Sequence, residues 1–319
     1  LANRQRSKRE RLDPTKRGAT RRQADRATKR RLKVVERGVK AMLADIPRSR
    51  RRQKAITNAE LVIYDYDYTQ SDARQLERSI IFLTNRELAE TQGDEAPAGW
   101  YFAEYIEDAN RAGALEENRD YNALIAAAVL AGIKVDGMPP KRVMGEEVLM
   151  SPQYRTTVEA STAESFASIK GLADDTSKKV YRVINTGIQS GKSPKDIAKE
   201  ITERYGVAAS SSERIARSEV NYAYNNARIK ASEIMSQQSG LRSGVLHISA
   251  LLPTTRPHHA ARHGKAFTPE QQRAWWNEGV NRINCYCSVR PILIDESDSI
   301  IETELVDTLK AERKFFAPK

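Results

Sequence analysis

Both cysteines of the chain and three of its four histidines fall between Thr254 and Val289, together with Trp275 and Trp276. His259 and His263 are four residues apart, the spacing that shares a face if the segment is helical. Cys285 and Cys287 alternate as they would on one face of a strand. Two imidazoles and two thiolates are a donor set for a tetrahedral zinc ion, so these four residues are the candidate ligands. The competing reading makes Cys285 and Cys287 core thiols and leaves the histidines with local hydrogen bonds. Two cysteines one residue apart do not form an ordinary unstrained disulfide, which suits a reducing compartment. The same residue types also serve catalysis. A Cys–His pair can make a nucleophile, and His258, His259 and His263 with Asn277 and Asn284 can be arranged as in a nuclease. The block's only acids, Glu270 and Glu278, lack metal-ligand spacing to the histidines, and no carboxylate is placed to orient a base. No catalytic residue is assigned.

These side chains must be held by the elements around them. Val245–Leu251 and Tyr286–Leu293 read as strands flanking the His-rich turn. Before them, Ala216, Val220, Ala223, Ala227, Ala231 and Ile234 form a small-residue stripe suited to close helix packing. The opposite face carries Arg217, Asn221, Tyr224 and Arg228. Ser193-Pro194 starts a helix with Ile197 and Ile201 inward; Gly206 is expected to close it, and Ser210 with Glu213 to cap the next. The run Ser190-Gly191-Lys192-Ser193 resembles half of a phosphate loop. Thr186 stands where the first glycine is required, so the run reads as a link between helices.

The fold class expected is mainly α: an extended helical N-terminal part followed by a small α+β C-terminal module. The expected divisions are 1–54, a basic arm; 55–140, a helical body; 141–240, a helical region leading into the module; 241–295, the module; and 296–319, a tail. No apolar run is long enough to span a membrane. The charge is uneven. Residues 1–54 hold 21 Lys and Arg against 5 Asp and Glu, net +16, whereas the remainder is net −5. Asp13-Pro14 is read as the start of the arm's helix. Leu32, Val35, Val39, Met42 and Ile46 form its apolar stripe, and Pro47 stops it. Excess charge of this size fits a polyanion. The arm lacks aromatics, so duplex phosphate contact is favoured over base stacking or a membrane. Arg21, Arg22, Lys29, Arg30, Arg31, Arg51 and Arg52 are the candidate DNA-binding residues. Residues 61–68, with Tyr64, Tyr66 and Tyr68 alternating, read as a strand edge or docking segment.

Three pieces occur in order: Ala216-Arg217-Ser218-Glu219 with Asn225 and Arg228; Thr255-Arg256-Pro257 with His259 and Gly264; and Asn284-Cys285-Tyr286-Cys287. Over about residues 170–293 this order resembles the Mu F-like head morphogenesis family, the minor head proteins of tailed bacteriophages. Leu252 or Pro253 stands where many members carry an aspartate, and histidines stand where some carry a C-P-x-C pair. The resemblance implies a structural virion protein rather than an enzyme. It would lie inside the head near the portal, after assembly in host cytoplasm. Its implied partners are the portal protein, packaged double-stranded DNA, and scaffold or major capsid protein, with zinc as the candidate ion. It implies a role in head assembly and in DNA packaging or ejection. The alternative class is a metal-dependent DNA-processing enzyme.

Overall fold

The computed structural model describes residues 13–54, 60–89, 99–295, 300–301 and 304–316. The chain is mainly helical, with a small three-stranded antiparallel sheet near its C-terminus. It divides into two compact units. One holds residues 1–22, 102–164 and 216–319, and the other 23–101 and 165–215. Among the described residues no helix is long and apolar enough to cross a membrane.

In the second unit, helix α1 (Gly18–Ala44) buries Leu32, Val35, Val39 and Leu43, while Met42 and Ile46 are only half-buried. The helix starts at Gly18, not at Pro14. Asp13 is taken up in a turn closed by the Lys16 N–H on its carbonyl, and its carboxylate accepts from Thr15 and pairs with Arg21. The helix C-terminus is closed by Arg48, whose Nη1 donates to the carbonyls of Ala44 and Ile46, both at 2.9 Å. The basic cluster after Pro47 is a strand, β1 (Arg48–Lys54), paired antiparallel with β2 (Glu60–Tyr66). β2 docks on the Ser190–Ser193 link: the Tyr64 N–H donates to Gly191 O at 3.0 Å, and the Tyr66 hydroxyl to Lys192 O at 2.9 Å. The link is therefore a turn between helices, with Gly191 at φ +63°. Helix α2 (Gln70–Leu88) begins in a Thr69–Asp72 capping box and buries Leu76, Ile80 and Leu83.

The first unit is built on α3 (Glu107–Leu130), the short α4 (Gly145–Met150) and the ends of two long helices. These are α5 (Pro152–Gln189) and α6 (Pro194–Ser239). α6 is one continuous helix, which corrects the expectation that Gly206 ends it and that a new helix starts at Ser210. Glycine in a helix interior costs only about 1 kcal/mol, and the Ser210 hydroxyl bonds back to the Gly206 carbonyl instead of capping. The small-residue stripe is buried from Ala216 to Ile234, and α3 approaches the α6 backbone at Gly113, where a Cβ would overlap the Tyr224 carbonyl oxygen. The opposite face is buried too, with Asn221, Tyr224 and Arg228 almost fully enclosed.

The module follows. β3 (Ser243–Ile248) lies between β4 (Ala266–Phe267) and β5 (Ser288–Leu293), both antiparallel to it. Two helices join it: the one-turn α7 (Pro257–Ala260) and α8 (Pro269–Asn277), which starts in a Thr268–Gln271 capping box. The closing helix α9 (Glu304–Lys314) packs Val306 and Leu309 with Leu246, Ile248 and Ile292 of the sheet.

Candidate metal centre

Helix α6 holds the C-x-C segment through one row of polar side chains. Ser218, Asn221 and Asn225 sit at i, i+3 and i+7, on one helix face. The Ser218 hydroxyl accepts from the Asn284 N–H at 2.9 Å. The Asn221 amide donates to Cys285 O at 2.6 Å, and the Asn225 amide to Cys287 O at 3.0 Å. The Ser288 hydroxyl donates to the Asn225 side-chain oxygen. An extended segment leading into a strand has backbone groups that no ladder satisfies, and here a helix supplies their partners. Asn284 turns the chain into this segment at φ +56°, a conformation that asparagine tolerates better than most residues, and its side chain accepts from Arg217.

The His turn is fastened to the same segment. Arg256 donates to the carbonyls of Val280 and Ile283, each at 2.7 Å, and of Asn281 at 3.3 Å. Thr255 closes the preceding turn with its hydroxyl on the Leu252 N–H. Pro257 opens α7, and His259 is carried inward on it, 2% exposed. His259 Nδ1 then lies 3.4 Å from the sulfur of Cys285 and 3.4 Å from that of Cys287. Among the described residues, His259, Cys285 and Cys287 are a group that could hold a metal ion, their donor atoms all within 4.8 Å of one another. Bond lengths of about 2.3 Å to sulfur and 2.0–2.1 Å to nitrogen give a tetrahedral S···N edge of roughly 3.6 Å. The trio therefore fits a zinc ion bound through Nδ1 with little movement. Held there, the ion would supply a positive charge that keeps both thiols deprotonated.

Both cysteines are free and buried. The Cys287 thiol hydrogen-bonds to Cys285 and, with His259, lowers the Cys285 pKa well below the usual thiol value against the cost of burial. Cys287 is pushed well above it by that same hydrogen bond and by burial. His259 Nε2 is buried and has no hydrogen-bond partner among the described residues. Trp275 and His258 lie against its ring, with centroids at 4.7 and 4.6 Å.

His263 is not part of this centre. α7 ends after one turn, and the i,i+4 relation to His259 ends with it. His263 instead accepts the Ser249 N–H on Nδ1 at 2.9 Å, which leaves Nε2 to face Glu312 of α9 at 3.2 Å. Arg313, beside Glu312, donates to the carbonyls of Ala261 and His263, so α9 is latched over the His turn. The fourth side of the trio opens instead on a cavity of about 370 Å³ lined by Arg217, Thr254, Thr255, Asn284 and Tyr286 among others. His247, which the sequence left unassigned, is fully buried beside Gln272 and Trp275. Burial and the nearby Arg262 hold it well below its usual pKa, as the neutral imidazole.

Residues 178–290 match the family model described as "Phage Mu protein F like protein". This stretch is similar to Mu protein F. It contains Ser218, Asn221 and Asn225, the Arg256 turn, His259 and the C-x-C pair, so the matched stretch encloses the whole clamp and the three candidate ligands. No curated protein and no solved structure matches the chain significantly.

The candidate DNA cations are scattered. Arg21 is buried and saturated: it pairs with Asp13, donates to Thr15 at 2.9 Å and to Asn221 at 2.6 Å, and stacks on Tyr286. It supports the clamp from behind and is not presented to a phosphate backbone. Lys29 pairs with Asp25 on its own helix. Arg31 lies over Trp100 at 4.2 Å and donates to Glu87 O. Arg22 and Arg30 are exposed. Arg51 and Arg52 are in β1, and their side chains lie outside the described residues.

Proposed function

We propose that this chain is a structural minor head protein of a tailed bacteriophage, seated at the portal inside the capsid. There it contacts packaged duplex DNA through phosphates and supports head assembly and DNA packaging or ejection. The observation that carries the reading is the coincidence of the Mu F-like match with a built structural device. Polar residues of the matched stretch are spent on holding backbone: Ser218, Asn221 and Asn225 on the C-x-C segment, and Arg256 on the loop before it. Residues used in this way form a rigid module rather than a reaction centre. Portal, scaffold and major capsid protein are the proposed protein partners, and the strongly basic N-terminal part is the proposed DNA-facing element. The test is co-purification with portal protein from assembling heads, and retention in the finished virion. Recovery of the protein free of portal, and its absence from virions, would refute the assignment.

One observation favours a second reading, a metal-dependent DNA-processing enzyme: a three-ligand site that opens on a cavity resembles a catalytic zinc more than a closed structural one. Against it, none of the described residues lining that cavity is a carboxylate able to act as a general base. Incubating the protein with supercoiled plasmid and Mg²⁺ or Zn²⁺ separates the two. The structural reading expects intact plasmid.

A further inference from the structure

Helix α1 keeps its acids apart from its most exposed cations. Its only acids are Asp25 and Glu36. Asp25 pairs with Lys29 at 2.7 Å and accepts from the Ser212 hydroxyl of α6. Glu36 pairs with Lys40 at 2.6 Å and accepts from the Thr202 hydroxyl of α6. Both carboxylates are thus turned to the side that packs on α6, and each takes one lysine with it. A different face presents Arg26, Arg30, Lys33 and Arg37, all exposed, at spacings of 4, 3 and 4. At 100° per residue these four fall within an arc of about 60°, and no acidic residue of the helix shares it. Val34 is the only exposed large hydrophobic residue of the helix, and the helix has no aromatic residue.

The geometry points to the Arg30–Lys33–Arg37 row, extended towards the N-terminus by Arg26, as a track for the phosphate backbone of duplex DNA. The inference rests on the DNA-contact reading above and gives it a surface. Of the seven candidate cations it keeps Arg30 and sets aside Arg21, Lys29 and Arg31, which are engaged within the protein. Arg30 to Arg37 spans about 10 Å of helix, and one DNA strand presents a phosphate about every 3.4 Å along its axis. The three side chains can therefore each meet a separate phosphate along one groove edge. Without aromatic residues the row cannot stack on bases, and without an apolar stripe beside it the face is ill-suited to enter a lipid interface. Contact is sequence-independent and sensitive to salt.

The test uses the full chain and a short mixed-sequence duplex, with affinity followed by fluorescence anisotropy across a salt series. Each neutralised phosphate contributes about −0.9 to the slope of log affinity against log salt. The triple variant Arg30→Gln/Lys33→Gln/Arg37→Gln is expected to flatten that slope by about 2.7, whereas Arg30→Lys/Arg37→Lys keeps the wild-type slope. If the triple variant has lost its helical circular dichroism, the three single variants replace it, each with an expected change of about 0.9. A wild-type protein that binds duplex while the triple variant keeps its slope overturns the track and leaves DNA contact to other cations. A wild-type protein that fails to bind duplex at low salt, or binds only anionic vesicles, overturns the DNA-contact reading itself.

Discussion

His259 Nδ1 lies 3.4 Å from the sulfur of Cys285, buried with it beneath the His turn. Cys287 stands at the same distance, and the three donors make a preformed face of a tetrahedron. The protein is expected to bind one equivalent of Zn²⁺ or Co²⁺, with the Co²⁺ form showing thiolate-to-metal charge-transfer absorption. His259→Ala and Cys285→Ser should each abolish that absorption, whereas His263→Ala should preserve it. Loss of the signal in His263→Ala would restore the four-ligand site that residue types alone suggest. A metal-free but fully folded protein after purification, confirmed by mass spectrometry, would reject the centre altogether.

Asn225 positions the centre without touching an ion. Replacing it with alanine removes the side-chain donor to the Cys287 carbonyl and the shorter of two hydrogen bonds of the Ser288 hydroxyl, at a cost of about 1–3 kcal/mol. Groups that orient ligands typically contribute about 10- to 100-fold in metal affinity. Asn225→Ala is therefore expected to lower Co²⁺ affinity by that order while leaving the absorption spectrum unchanged at saturation. A merely structural role would lower the melting temperature without changing the affinity.

Gly113 sets how closely α3 approaches α6. A methyl group there meets backbone, the Tyr224 carbonyl, which has no rotamer to yield. Gly113→Ala gains helix propensity of about 1 kcal/mol, yet should still be destabilised by about 1–3 kcal/mol through overpacking. Thermal or urea unfolding measures it, and a variant more stable than the wild type would show that the two helices are free to separate.

Much of this was legible in the residues. The strands around the His turn, the mainly helical class and the buried stripe of α6 follow from periodicity, because apolar spacing records which face is covered. The ligand types were also legible, since histidine and cysteine are scarce here and cluster. What could not be read was what depends on distant pairing. His263 departs because α7 is one turn long, and the residue that holds it, Glu312, is 49 positions away on α9. Arg21 reads as a free cation in the sequence because Asn221 and Tyr286, which enclose it, are both some 200 or more positions distant. Gly206 misled because a glycine marks a helix end only where no tertiary packing carries the helix through.

Arg228 is 2% exposed and lies 2.7 Å from Glu117, 2.9 Å from Asp120 and 3.7 Å from Glu116. Burial opposes ionisation of all three acids. For Asp120 and Glu116 the arginine outweighs it, with help from Arg290 and Lys16 respectively, and both are held below their usual values. Glu117 is fully enclosed, and burial prevails over Arg228, with Asp120 adding repulsion, so its pKa rises to about 8. In the unfolded chain Glu117 ionises near 4.3. Between there and about 8 the folded protein keeps a proton that the unfolded chain has released, so this residue makes stability fall as pH rises through that window. Asp120 and Glu116 act oppositely: their contribution is present above the unfolded values and is lost as pH falls through their depressed native ones. Glu117→Gln keeps the shape and removes the proton. It is expected to flatten the decline in unfolding free energy between about pH 5 and 8, as measured by urea denaturation. An unchanged decline would place Glu117 as an ionised partner of Arg228 throughout.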